Sequence, residues 1–87
     1  MVYKPQTDCV CCAYGDGAAV LDVRSNIYFT LDEVGATVWN ILSDGADLEE
    51  IVAKVTEEYD VSAQACRPDI ETFLGEMVEN DLVVVMR

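Results

Sequence analysis

Residues Asn26 to Leu42 read NIYFTLDEVGATVWNIL, a β-type run that passes into a helical pattern with no linker between them. Alternation in the run places Ile27 and Phe29 on one face and Tyr28 and Thr30 on the other. Thr30 suits a helix N-cap, and Glu33 three residues on completes a capping box. Phe29 and Val34 are then spaced for a hydrophobic staple across the start of the helix. Leu31, Val34, Val38, Ile41 and Leu42 form one apolar stripe, with Trp39 beside it. Gly35 costs roughly 1 kcal/mol against alanine inside a helix, which marks a site of close approach. A junction this tight fixes the angle between strand and helix, so sheet and helices must share one core.

The flanking pattern extends this into an α+β domain. Residues 1–8 are polar and are expected to be flexible. CVCCAY (9–14) and AAVLDVR (18–24) read as strands joined by a GDG turn, and Ser25-Asn26 suits a tight hairpin into the third strand, IYFT (27–30). SDG (43–45) ends the first helix. Asp47 caps a second, with Glu50 as box partner and Leu48, Ile51, Val52, Val55 and Tyr59 at helical spacing. YDVSAQACR is a connection, and Pro68 suits the first position of a third helix running to about Asn80. Ile70, Phe73, Leu74, Met77 and Val78 give that helix its apolar face. LVVVM (82–86) is a short terminal strand. The expected architecture is a single domain, residues 1–87. It is winged helix-turn-helix-like: three N-terminal antiparallel strands, three helices and a short C-terminal strand.

Composition narrows function. Five Lys and Arg stand against 17 Asp and Glu, for a net charge of −12. Lys4, Arg24, Lys54, Arg67 and Arg87 are scattered, so nucleic acid and anionic membrane surfaces are disfavoured as partners. The longest apolar run is far short of the ~18–20 residues that span a bilayer. The N-terminus has no signal-peptide pattern, so a cytoplasmic location is expected. Histidine is absent, which removes the commonest general base and metal ligand and any Ser–His or Cys–His pair. Cys9, Cys11 and Cys12 lack C-x-x-C spacing, and a strand would point Cys12 away from the other two. They read as small apolar strand residues rather than as a metal or redox centre, and neither a metal nor a cofactor is expected.

With these residues in place, the chain resembles the PqqD-like family, the RiPP precursor peptide recognition element. The resemblance rests on AAVLDV (18–23), YFTLDEVGATVWNIL (28–42), DG (44–45), DLEEIVAKVTEEYDV (47–61) and DIETFLGEMVENDLV (69–83). It spans about residues 17 to 85. The family commonly has Leu-Asn where Leu31-Asp32 stands, and the Cys-rich first strand is not a family feature. A stand-alone acidic chain of this length is similar to the leader-binding proteins of lasso-peptide pathways. The resemblance implies a non-enzymatic module that binds the leader of a ribosomally made precursor peptide. The leader would add as a strand to the third strand, in the groove against the third helix, and be delivered to a leader peptidase and a cyclase. In strand addition the edge N–H and C=O groups supply affinity and side-chain pockets supply specificity.

Carried onto this chain, the candidate peptide-binding residues are Asn26, Ile27, Tyr28, Phe29 and Thr30 on the strand. On the helix they are Asp69, Ile70, Phe73, Glu76, Met77 and Asn80. Core packing is the simpler account of the Ile27 and Phe29 side chains, whose backbone groups would still be free to pair. Met77 has the flexible side chain suited to a sequence-tolerant groove. Asp69, Glu76 and Asn80 could meet polar or basic leader residues, or could simply be a solvated face. The competing readings are a winged-helix transcriptional regulator, opposed by the charge, and a metal or redox carrier through CVCC.

Overall fold

The computed structural model describes residues 1–86. Arg87, one of the five cations, lies outside the described residues. The order is β1 (Val2–Pro5), β2 (Cys9–Tyr14), β3 (Gly17–Asp22), β4 (Ile27–Leu31), α1 (Glu33–Leu42), α2 (Leu48–Glu58), α3 (Ala63–Glu79) and β5 (Val83–Met86). β2, β3 and β4 form an antiparallel meander, while β1 pairs with β5 in a separate two-stranded ribbon. Four strands therefore precede the helices, in two sheets, where the pattern gave three in one.

β1 corrects the expectation of a flexible start. Its signal is not local, because its partner is at the other end of the chain: Tyr3 pairs with Val85. Tyr3 also exchanges both backbone hydrogen bonds with Ala46, at 2.8 and 3.1 Å. Pro5, which cannot donate to a ladder, sits at the end of this edge strand.

The β2–β3 turn is the Gly15-Asp16 pair, with Gly15 at φ +61. Positive φ at the first central residue is the glycine-demanding arrangement of tight hairpins. The β3–β4 connection is longer than the expected Ser25-Asn26 pair, because β3 stops at Asp22 and residues 23–26 form the loop. The Asn26 N–H donates to the Asp22 carbonyl at 2.7 Å, with Asn26 in the left-handed region at φ 59. The Arg24 guanidinium donates to the Asp22 carboxylate at 3.2 Å and to the Asp81 carbonyl at 2.9 Å. One side chain thus ties the hairpin end to the end of α3.

Two helix starts also move. β4 continues to Leu31, paired with Ala18, so Thr30 belongs to the ladder and is not a cap. Asp32 takes that role, its carboxylate accepting from the Gly35 N–H at 2.7 Å. The Phe29–Val34 staple falls with it: Val34 is 41 % exposed and Leu31 is the residue that enters the core. α3 begins five residues before Pro68, because Ser62 accepts from the Ala65 N–H and caps the helix there. Pro68 then lies inside the helix, where it withholds the donor that Gln64 would receive. α2 starts as expected, with Asp47 accepting from the Glu50 N–H at 2.8 Å.

The core lies between the three helices and the inner face of β3 and β4. Val20, Leu42, Ile51 and Leu82 have no exposed surface, each contributing about 1.5–3 kcal/mol by burial. Trp39 is buried with them, as its place beside the apolar stripe suggested. α1 lies on β3, and α3 packs on α2 and β5.

Candidate peptide-binding cleft

β4 is paired with β3 on one side only. Its other edge carries backbone N–H and C=O groups with no ladder partner, the arrangement that accepts an added strand. Where the strand ends, a cleft of about 450 Å³ opens between the start of α1, the end of α2 and α3 from Cys66 to Glu76. Asp32, Val34 and Gly35 form its near wall. Val55, Tyr59 and Val61 close the far end, and Cys66, Asp69, Ile70, Thr72, Phe73 and Glu76 form the α3 wall.

The walls are held by specific contacts. Gly35 permits the close approach its position implied: a Cβ there would lie 3.3 Å from the Phe73 ring. The Tyr59 hydroxyl is 2.8 Å from the Thr37 hydroxyl, fixing the end of α2 against α1. At the opposite end, the Arg24 bond to Asp81 joins the β4 hairpin to α3. α1 is thus held against α2 and α3 at one end, and the β3–β4 loop against the end of α3 at the other.

Of the candidate helix residues, Asp69, Ile70, Phe73 and Glu76 line the cleft. Met77 does not: it is 6 % exposed and packs in the core, because it shares the inner stripe with Ile70 and Leu74. Asn80 lies outside the cleft lining as the C-cap of α3, its side-chain amide donating to the Glu76 carbonyl at 2.8 Å. Of the strand residues, Ile27 to Thr30 lie in β4, whereas Asn26 is in the preceding loop with its N–H already donated to Asp22. Phe29 packs partly against the core, but Ile27 is 52 % exposed and is not core. Tyr28 points to the outer face and is exposed.

Asp32, Val34, Gly35, Val55, Tyr59, Val61, Cys66 and Thr72 also line the cleft and were not among the candidates. Val34 was assigned to the staple and Tyr59 to the core stripe of α2. A reading that placed the cap at Asp32 would have freed Val34 for the cleft. Nothing local marks Val61 or Cys66, which reach the site only because α3 starts early.

The cysteines of β2 stand apart from this cleft. Burial pushes the Cys9 and Cys11 thiols above their usual range, with Asp22 adding to the effect at Cys9 and Cys12 at Cys11. Raised thiols are poor nucleophiles and poor metal ligands. Among the described residues, no three His, Cys, Asp or Glu side chains are grouped to hold a metal ion. No described helix is long and apolar enough to cross a membrane.

Comparison with known proteins gives two kinds of match. The family model described as coenzyme PQQ synthesis protein D (PqqD) matches residues 17–83. Among solved structures, the chain is similar to TbiB1 in complex with the TbiA(beta) leader peptide. That match has 28 % identity and a TM-score of 0.86, and covers 97 % of this chain and 98 % of that one. It also shares its fold with a lasso peptide synthetase B1 complexed with the leader peptide, at 23 % identity and a TM-score of 0.82, over 95 % of this chain and 98 % of the other. No curated protein matches. The family match takes in β3, β4, all three helices and the first residue of β5, and on that ground the chain belongs to the PqqD family.

Proposed function

We propose that this chain is a non-catalytic binding module for the leader segment of a ribosomally made precursor peptide. The leader adds as a strand along the free edge of β4, with side chains entering the cleft walled by Phe73 and Val34. The complex then presents the precursor to a leader peptidase and a cyclase in a lasso-type pathway, in the cytoplasm where the precursor is made. The observation that carries this reading is the unpaired outer edge of β4, a strand followed at once by Asp32, Val34 and Gly35 on the wall of an apolar cleft that no β4 residue itself lines. The likeness to TbiB1, a chain bound to a leader peptide, supports it.

A winged-helix DNA reader fits less well. The one cation described on α3, Arg67, donates to Glu49, and its neighbours on the helix are Asp69, Glu71, Glu76 and Glu79. A DNA-reading helix carries an excess of basic groups.

The test is a titration of the isotope-labelled protein with synthetic leader peptides of lasso-type precursors. The expected dissociation constant is about 1 μM or tighter, on the order of −8 kcal/mol. Amide shifts should centre on residues 27–34 and 66–76. Shifts confined to the outer face of α2 would refute the cleft. A proline walked through the leader should weaken binding where the peptide must donate to β4, and indifference at every position would refute strand addition.

A further inference from the structure

The chemistry of the cleft goes further than its shape. Its walls are apolar, from Val34, Val61 and Phe73, while its charged groups are all carboxylates: Asp32, Asp69 and Glu76. Among the described residues, no lysine or arginine lines it. Arg67, the cation nearest in sequence, is held away by Glu49. The rest of the molecule adds to the same field, with a net charge of −12.

An added strand presents side chains alternately, so residues i and i+2 face the same side. A cleft of about 450 Å³, within the ~300–1,000 Å³ range of ligand clefts, has room for more than one side chain. We propose that this cleft selects a leader segment in which a bulky apolar residue and a lysine or arginine stand two positions apart. The apolar residue lies against Val34 and Phe73. The methylenes of the basic residue cover the remaining apolar wall while its head group meets Asp69 or Glu76, which stand two turns apart along α3. The Phe73 ring offers a further site for the cation. An acidic residue at either position brings like charges together and is rejected. This rests on the strand-addition reading above and adds the charge rule to it.

The test is a selection from a displayed library of random 12-residue peptides, against wild type and against an Asp69→Asn/Glu76→Gln double variant. Both carboxylates are on the exposed side of α3, so the variant should keep the fold, which amide spectra will check. Wild type should enrich a Lys or Arg two positions from an apolar residue, and the variant should lose that enrichment. For one selected peptide, changing its basic residue to glutamate should weaken binding to wild type about two- to fivefold, from exposed-pair energies. The same change should alter binding to the variant far less. Selected peptides that protect the Ile27–Leu31 amides from exchange but show no basic bias overturn the charge rule and leave strand addition standing. Peptides that leave those amides unprotected, or a selection that yields no binder, overturn strand addition and the charge rule together.

Discussion

A side-chain carbon on Gly17 would collide with the Leu31 carbonyl oxygen, because β3 passes the end of β4 at backbone contact there. Gly75, on the exposed side of α3, has nothing near the corresponding position. Two alanine substitutions should therefore act in opposite directions. Gly17→Ala should destabilise by about 1–3 kcal/mol, the usual cost of overpacking. Gly75→Ala should stabilise by up to about 1 kcal/mol through helix propensity. Urea midpoints at constant slope will measure both. A second residue effect depends on pH. Asp22 is buried at 6 % exposure, and hydrogen bonds from Arg24 hold its carboxyl below the usual range. A carboxyl lowered in the folded state stabilises above its unfolded pKa of about 3.9 and loses that contribution as the pH falls through the folded value. Asp22→Asn should therefore be less stable than wild type at pH 6, and the gap should narrow steadily below pH 4. A gap that is constant with pH would mean the carboxylate charge contributes nothing.

At the scale of elements, α3 holds a residue that its own geometry opposes. Pro68 lies within Ala63–Glu79, where it removes one helical bond and crowds the Gln64 carbonyl. Pro68→Ala should stabilise the protein, by as much as ~3 kcal/mol if the helix carries the full interior cost. Pro68 is not a cleft residue, so affinity for a leader peptide should stay the same; calorimetry and a binding titration on one sample test both. Pro68 also explains what was and was not legible in advance. A proline reads locally as a helix start, and only the Ser62 cap, satisfied by Ala65, sets the true start. The same competition moved the start of α1 from Thr30 to Asp32, since ladder pairing with β3 holds Thr30 and Leu31 in the strand. Element types followed from periodicity, because apolar spacing is a local property. The boundaries did not, because rival caps within two to five residues are decided by tertiary pairing. The cleft inherits that uncertainty: Asp69, Ile70, Phe73 and Glu76 were legible as a helix face, whereas Val34 and Cys66 depend on where the helices begin.

For the whole molecule, the charge of −12 on 87 residues is the dominant long-range term. Of the four described cations, Arg24 and Arg67 are paired with carboxylates. Among the described residues only Asp8, Asp22 and Glu49 have a cation within salt-bridge distance, and folding brings the remaining acidic groups closer than they are in the extended chain. Self-repulsion of this kind opposes the compact state and is screened once the Debye length falls to ~8–10 Å, near 0.1–0.15 M salt. The same field would draw a basic peptide towards the β4 edge and keep polyphosphate backbones away. Sodium chloride should then have opposite effects on two measurements of one protein. Raising it from 10 to 300 mM should increase the urea midpoint, since repulsion within the fold is relieved. Over the same range it should weaken the binding of a lysine- or arginine-bearing peptide, mainly by slowing association. An uncharged peptide that binds β4 should lose little. If the midpoint fell with salt, Arg24, Arg67 and their carboxylate partners would outweigh the repulsion, and the net charge would no longer account for the stability of the fold.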